Sequence, residues 1–189
     1  MSKIVLLRAM VDREESHSVP ILVMGVTACG KSEIASRLAK ALDVPFVEGD
    51  ALHPQSNIQK MARSEPLDDD DRWPWLEALA SEVANRCAMR GGAVFSCSAL
   101  KRTYRHELRD KLPNLITVFL ELDPETSQNR SSARAGHFMP VSLVESQFAT
   151  LERPEGEPST LIVDARLPIA DVLDQVRLGL GAKVMERGN

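Results

Sequence analysis

Pro20-Ile21-Leu22-Val23-Met24-Gly25-Val26-Thr27-Ala28-Cys29-Gly30-Lys31-Ser32 is the stretch on which the fold turns. Pro20–Gly25 is a short apolar run of the kind that forms a buried strand, and from Gly30 onward Ile34, Leu38, Ala39 and Leu42 recur at helical spacing. Between them Gly25–Ser32 fits G-x-x-x-x-G-K-[ST]. Strand, tight loop and helix are the context this pattern needs, because loop and helix N-terminal N–H groups then converge on phosphate oxygens. Lys31 would reach the β- and γ-phosphates and the Ser32 hydroxyl would ligate Mg²⁺. Gly25, Val26, Thr27, Ala28, Cys29, Gly30, Lys31 and Ser32 are therefore the expected nucleotide-binding residues, with ATP and Mg²⁺ as the expected cofactors. Ala28 stands where such loops commonly carry a further glycine; a positive φ there costs about 1–2 kcal/mol and would weaken phosphate affinity.

Working outward, short strands are expected at 45–47, 93–97, 115–120 and 160–163, several of them near-continuously apolar as in sheets buried on both faces. Helical patterns lie near 54–63, 72–90, 101–111, 124–135, 140–151 and 168–181. Alternating strands and helices predict an α/β fold around a five-stranded parallel sheet flanked by helices. The strand-poor stretch 51–91 is the expected place of a substrate-binding insertion. Residues 1–18 read as an extension, partly disordered or loosely docked, 19–182 as a single domain, and 183–189 as a C-terminal tail.

Composition sets bounds. The 189 residues make one domain with an adequate core, and 43% hydrophobic with 26% charged residues is ordinary globular usage. A net charge of −4 has the wrong sign for broad attachment to nucleic acid or anionic lipid, and 4% aromatics argue against a base-stacking platform. Neither nucleic acid nor membrane is an expected partner. The N-terminal apolar run Ile4–Leu7 is too short for a secretory h-region or a bilayer span. Cys29, Cys87 and Cys97 form an odd set without metal-ligand spacing, which points to a reduced, cytoplasmic protein with buried thiols.

Neither N-K-x-D nor D-x-x-G occurs, which excludes a guanine-nucleotide switch. Leu161-Ile162-Val163-Asp164 has the form of a metal-site strand, but it is the last strand, so Asp164 reads as a strand-end or adenine-side residue far from the γ-phosphate. The third strand ends in Ser98-Ala99-Leu100-Lys101 without a carboxylate. The second strand supplies two: Phe46-Val47-Glu48-Gly49-Asp50 ends at the edge where open α/β sheets bind ligands. Strand period would aim Glu48 and Asp50 at one face, with Gly49 admitting a substrate to the backbone.

Seven motifs follow one another along residues 20–177. They are Gly25–Ser32; Glu48-Gly49-Asp50 with His53-Pro54; Asn57-Ile58-x-Lys60-Met61; and Pro66-Leu67-Asp68-Asp69-Asp70-Asp71-Arg72-x-Pro74-Trp75-Leu76. Then come Cys97-Ser98-Ala99-Leu100-Lys101-Arg102-x-Tyr104-Arg105, Gly136-His137-Phe138-Met139-Pro140 and Ser146-Gln147-Phe148-x-Thr150-Leu151-Glu152. Together they resemble the gluconokinase family. The resemblance implies the phosphate-loop NTPase fold of nucleoside-monophosphate and shikimate kinases, transfer of the ATP γ-phosphoryl group to the 6-hydroxyl of D-gluconate, and a homodimer. Departures are Ala28, Ser64 where glycine is common and His106 where aspartate is common.

On that resemblance Asp50 orients and deprotonates the acceptor hydroxyl and Glu48 holds Mg²⁺ with Ser32. Gluconate has one carboxylate and five hydroxyls, so its site needs a cation and mixed hydrogen-bonding groups; His53, Arg72, Lys101, Arg105 and His137 are the expected contacts. Arg130 and Arg134, four apart on one helical face, resemble a lid over 130–141 that clamps ATP and, with Lys31, assists phosphoryl transfer. Asp68–Asp71 reads as helix-start chemistry, and Trp73 and Trp75 as packing anchors of the insertion. Two alternatives stay open: a kinase of another small metabolite, and a weakly catalytic ATP-binding regulator.

Overall fold

A computed structural model describes residues 19–63, 65–133 and 141–187. Five parallel strands, β1 (Val19–Met24), β2 (Phe46–Glu48), β3 (Gly92–Ser96), β4 (Ile116–Glu121) and β5 (Thr160–Asp164), form one sheet in the order β2-β3-β1-β4-β5. The helices are α1 (Lys31–Leu42), α2 (Gln55–Ala62), α3 (Asp69–Arg90), α4 (Arg102–Lys111), α5 (Pro124–Ser132), α6 (Val141–Thr150) and α7 (Ile169–Arg187). Each expected strand and helix is present within a few residues. The helix expected to end near 181 instead runs on to Arg187, so the boundary drawn at 183 falls inside it.

β1 is the middle strand, and its alternating side chains enter two cores. Ile21 and Val23 pack with Ile34 and Leu38 of α1 and Val172 and Val176 of α7, while Leu22 and Met24 pack with Leu76, Leu79 and Val83 of α3 and Leu108 of α4. A strand covered on both faces has no polar side, which is why Pro20–Met24 reads as an unbroken apolar run. All five strands run the same way, so their C-terminal ends and the loops leaving them share one edge.

The acidic run before α3 is helix-start chemistry, as expected. Asp68 accepts from the Asp71 N–H at 2.9 Å and Asp71 accepts from the Asp68 N–H at 3.0 Å, a reciprocal cap, with Asp69 and Asp70 at the positive end of the helix dipole. The helix therefore begins three residues earlier than the apolar periodicity alone suggests. Pro74 falls in its second turn and leaves the Asp70 carbonyl without its helical donor, at a residue exposed to water.

Candidate active site

The phosphate loop leaves β1 at Gly25, whose φ of 145° and close approach to the Leu120 carbonyl exclude any side chain: a Cβ would lie 2.7 Å from that oxygen. Ala28 has φ of 58°, the left-handed conformation anticipated for this position, so the loop carries the strain of a methyl group where glycine would be relaxed. Gly30, at φ of 94°, caps α1 without a side-chain hydrogen bond, so among the described residues the cap offers the first-turn amides no side-chain acceptor. Lys31 Nζ donates to the Val26 carbonyl at 3.0 Å, across the loop. Thr27 departs from expectation: its N–H donates to Gln147 Oε1 at 2.7 Å and its carbonyl accepts from Ser127 Oγ at 3.0 Å. Its backbone is thus held by α6 and α5 rather than left for phosphate.

At the tip of β2 the strand ends at Glu48, and Gly49–Leu52 form a 3₁₀ turn. Strand period therefore does not carry on to Asp50, and the expectation of two carboxylates aimed together by the pleat is corrected. Glu48 accepts a short hydrogen bond from Ser96 Oγ, while Asp50 is exposed at the turn. Gly49 is needed for packing and not for substrate approach: a Cβ there would stand 2.1 Å from the Ser96 carbonyl. Its N–H donates to Ser96 Oγ at 3.3 Å and its carbonyl accepts from Trp75 Nε1 at 2.8 Å, which pins the turn between β3 and α3. Trp75 is the expected packing anchor; Trp73 lies half open with its ring edge-on to Tyr104 at 5.3 Å.

The charges of three expected residues act on one buried thiol. Burial pushes the Cys97 thiol, at the end of β3, up to about 12, and that thiol sits in the fields of Asp50, Lys31 and Arg72 together. His53 is buried and stacked on Trp75 with ring centroids 4.0 Å apart. Burial holds its imidazole below the ordinary value, Asp50 pulls against that, and Arg72 adds to it. Asn57 Nδ2 donates to the Asp71 carbonyl at 2.8 Å and lies 3.3 Å from His53 Nδ1, which suits a neutral ring protonated on Nε2.

A cavity of about 510 Å³ opens between the N-termini of α3 and α4 and the face of α6, lined among others by Asp69, Arg72, Lys101, Tyr104, Gln147 and Thr150. Arg72 lies 5.7 Å from the centre of the Tyr104 ring and makes no ion pair among the described residues; its Nε donates only a long hydrogen bond, 3.4 Å, to the Leu67 carbonyl. Lys101 Nζ, 5.5 Å from the same ring, is bound to Asp69 Oδ1 at 2.6 Å, and Tyr104 donates a short hydrogen bond to the same oxygen.

Arg105 is not part of that cavity, and its expected contact with gluconate is corrected. It is fully buried, and every guanidinium donor is in use: Nε and Nη2 on Glu157, Nη1 on the Ala99 and Leu100 carbonyls, Nη2 also on the Glu152 carbonyl. Arg109 Nη1 adds a second cation on Glu157 at 2.8 Å. Burial pushes the Glu157 carboxyl up, and the hydrogen bonds and charges of Arg105 and Arg109 more than offset it, leaving it below the ordinary range. The signal was in the sequence: Arg105 falls on the helical stripe of Leu108 and Leu112.

Arg130 Nη1, in the last turn of α5, donates to the Ala165 carbonyl just past β5 at 2.9 Å. Its charge reaches Cys29 in the phosphate loop, where burial pushes the thiol up against the pull of Lys31 and Arg130. Asp164 is held down to about 2 by hydrogen bonds from Arg166, and β5 is separated from β1 by β4, in keeping with a strand-end role. Arg134 and His137, with most of the expected lid, lie outside the described residues, as do Ser64 and residues 1–18. Gln147, Glu157 and Arg109 are the structural surprises; of these only Gln147 touches both the phosphate loop and the cavity.

Residues 21–154 match the family described as AAA domain. The chain is 41% identical over 157 residues to the thermosensitive gluconokinase of Escherichia coli (strain K12), covering 82% of this chain and 84% of that one. The chain belongs to the gluconokinase family. Its structure superposes on a gluconokinase from Sinorhizobium meliloti 1021 with a TM-score of 0.83 at 44% identity, covering 90% of this chain and 95% of that one. A shikimate kinase from Aquifex aeolicus, at 16% identity and a TM-score of 0.61 over 86% of this chain and 96% of that one, shares the fold alone. The expected phosphate-loop NTPase fold of this kinase type is thus the observed one, and the chain is a kinase of this family.

Proposed function

We propose that the chain transfers the γ-phosphoryl group of ATP to D-gluconate, giving 6-phospho-D-gluconate. The observation that carries this reading is Arg72: a guanidinium with no carboxylate partner among the described residues, on the wall of a polar cavity also lined by Gln147, which is bonded to Thr27 of the phosphate loop. An acceptor with one carboxylate and several hydroxyls complements that wall, the carboxylate on Arg72 and hydroxyls against the Lys101–Asp69–Tyr104 cluster. Asp50, exposed at the edge and within the field that also holds Lys31, is the group to orient the 6-hydroxyl and take its proton. Lys31 exchanges its contact with the Val26 carbonyl for phosphate oxygens, and Arg130, with Arg134 and His137, completes the nucleotide and acceptor contacts.

Ser32 and Glu48 are oxygen donors at the ends of α1 and β2, a donor set that suits Mg²⁺, which keeps most of its ligands as water and phosphate oxygen. Among the described residues no three His, Cys, Asp or Glu side chains form a metal site of their own, as fits an ion that arrives with the nucleotide. When bound, Mg²⁺ neutralises phosphate charge. The three free, buried cysteines support a reducing cytoplasm as the place of action, and no described helix is long and apolar enough to cross a membrane. The homodimer is proposed from the family resemblance and tested by the mass in solution.

The experiment is a coupled assay of ADP release over gluconate, other aldonates, shikimate, glycerate and nucleoside monophosphates with Mg²⁺-ATP. Gluconate is expected to lead. A preference for shikimate or a monophosphate, or nucleotide binding without turnover of any acceptor, overturns the proposal.

A further inference from the structure

Gln147 is anchored at one end and open at the other. Its Oε1 accepts from the Thr27 N–H at 2.7 Å, across 120 residues of sequence. A backbone N–H only donates, so this contact fixes which way round the amide lies: oxygen on the phosphate loop, nitrogen away from it. Nε2, with two N–H donors, has no partner among the described residues. Gln147 also lines the cavity that holds Arg72, Lys101 and Tyr104. The anchor is itself rigid, because Ser127 Oγ of α5 donates to the Thr27 carbonyl and so holds the other side of the same residue.

We infer that Gln147 is a specificity-determining residue of the acceptor site, donating from Nε2 to one hydroxyl oxygen of the polyhydroxy acid while Oε1 keeps that donor in register with the phosphate loop. The inference rests on the proposed acceptor and deepens it. Arg72 recognises the carboxylate, which any small acid shares; a directed neutral donor reads a hydroxyl, which an acid without it does not offer. Fixing that donor through Thr27 ties the acceptor's position to the loop that holds the nucleotide, so reacting oxygen and γ-phosphate share one frame of reference.

The test uses two variants and the mono-deoxy analogues of gluconate. Gln147→Glu keeps an oxygen for the Thr27 N–H but loses the donor; Gln147→Met loses both. In the wild type one analogue, lacking the hydroxyl that Gln147 reads, should have a kcat/KM roughly 3- to 10-fold below that of gluconate from this contact, the weight of one neutral hydrogen bond. In both variants that particular discrimination should vanish while the penalties on the other analogues persist. Should Gln147→Glu retain the full wild-type discrimination pattern, or should ADP affinity fall while the pattern stays, Gln147 is only a clamp on the loop and the inference is wrong. A wild type that turns over no gluconate overturns the acceptor reading as well, whereas gluconate turnover with an unchanged pattern in Gln147→Glu overturns this inference alone.

Discussion

Replacing Arg105 with alanine should unfold the protein more than it should weaken gluconate binding. The guanidinium has no exposed surface and its five N–H donors are shared among the Glu157 carboxylate and the carbonyls of Ala99, Leu100 and Glu152. Truncation removes the donors to the Ala99 and Glu152 carbonyls, the Leu100 carbonyl keeping the Glu152 N–H, and leaves the buried Glu157 with the half-buried Arg109 beside it. Breaking a buried pair of this kind costs about 3–5 kcal/mol. Set against a total stability of about 5–15 kcal/mol, that is a large fraction. For a chain of this length 1 kcal/mol shifts Tm by about 2–4 °C, so the expected fall is roughly 6–20 °C. The sign of the pH dependence follows from Glu157: its folded carboxyl lies below the ordinary range, so the pair contributes above the unfolded value and is lost as pH falls through the folded one. The gap between wild type and Arg105→Ala should therefore narrow in acid. Thermal melts from pH 7 downward, with gluconate KM measured well below the lowered Tm, make the assay. A variant that melts within about 2 °C of wild type and binds gluconate many-fold more weakly would put the guanidinium in the acceptor site and refute the reasoning.

Lys31→Met should abolish turnover with Mg²⁺-ATP and leave the melting curve in place, because among the described residues its ammonium makes one hydrogen bond, to the Val26 carbonyl; activity within about threefold of wild type would contradict the phosphate-loop assignment. Arg72→Gln should raise gluconate KM by about 10- to 100-fold with kcat little changed, the loss of a charge-assisted bond, and an unaltered KM would remove the carboxylate anchor. Ala28→Gly should relax the left-handed strain of about 1–2 kcal/mol, offset by about 0.4–1 kcal/mol of unfolded-chain entropy, for a small net rise in Tm; a clear fall would show the methyl group is valued for packing. Asp50→Asn should keep ATP binding while kcat falls by about 10²–10⁴, and Glu48→Gln should need more Mg²⁺ for half-maximal rate, so a Mg²⁺ titration that rescues Asp50→Asn instead would exchange the two roles.

What could be read from the sequence was local. The phosphate loop, the left-handed Ala28 and the acidic start of α3 each depend on residues within a turn or two, so short patterns specify them. The strand edge was legible as well, because a parallel sheet sends every strand end to one side. Residue roles set by partners far along the chain were misread. Gly49 looked like an opening for substrate, yet the atom that demands it is the Ser96 carbonyl, which only the pairing of β2 with β3 brings near. Strand period was extended to Asp50 because nothing local announces that the chain turns at Gly49.

Arg105 shows why charge is a poor guide to an acceptor site by itself. Of the three cations expected to meet gluconate from α3, α4 and the loop between β3 and α4, Arg105 is saturated by protein groups, Lys101 is neutralised by Asp69, and Arg72 has no ion pair among the described residues. A bound acid needs positive charge that the fold has not already paired, and sequence reports only that the charge exists. Arg105 still bears on the site. By holding the Ala99 and Leu100 carbonyls, and through them the residue before Lys101, it sets where that lysine stands, and the Glu152 N–H on the Leu100 carbonyl at 2.9 Å ties the same loop to the end of α6. The helix that presents Gln147 and the loop that presents Lys101 are thereby joined at Leu100, which lets two walls from distant parts of the chain keep a fixed spacing across the cavity.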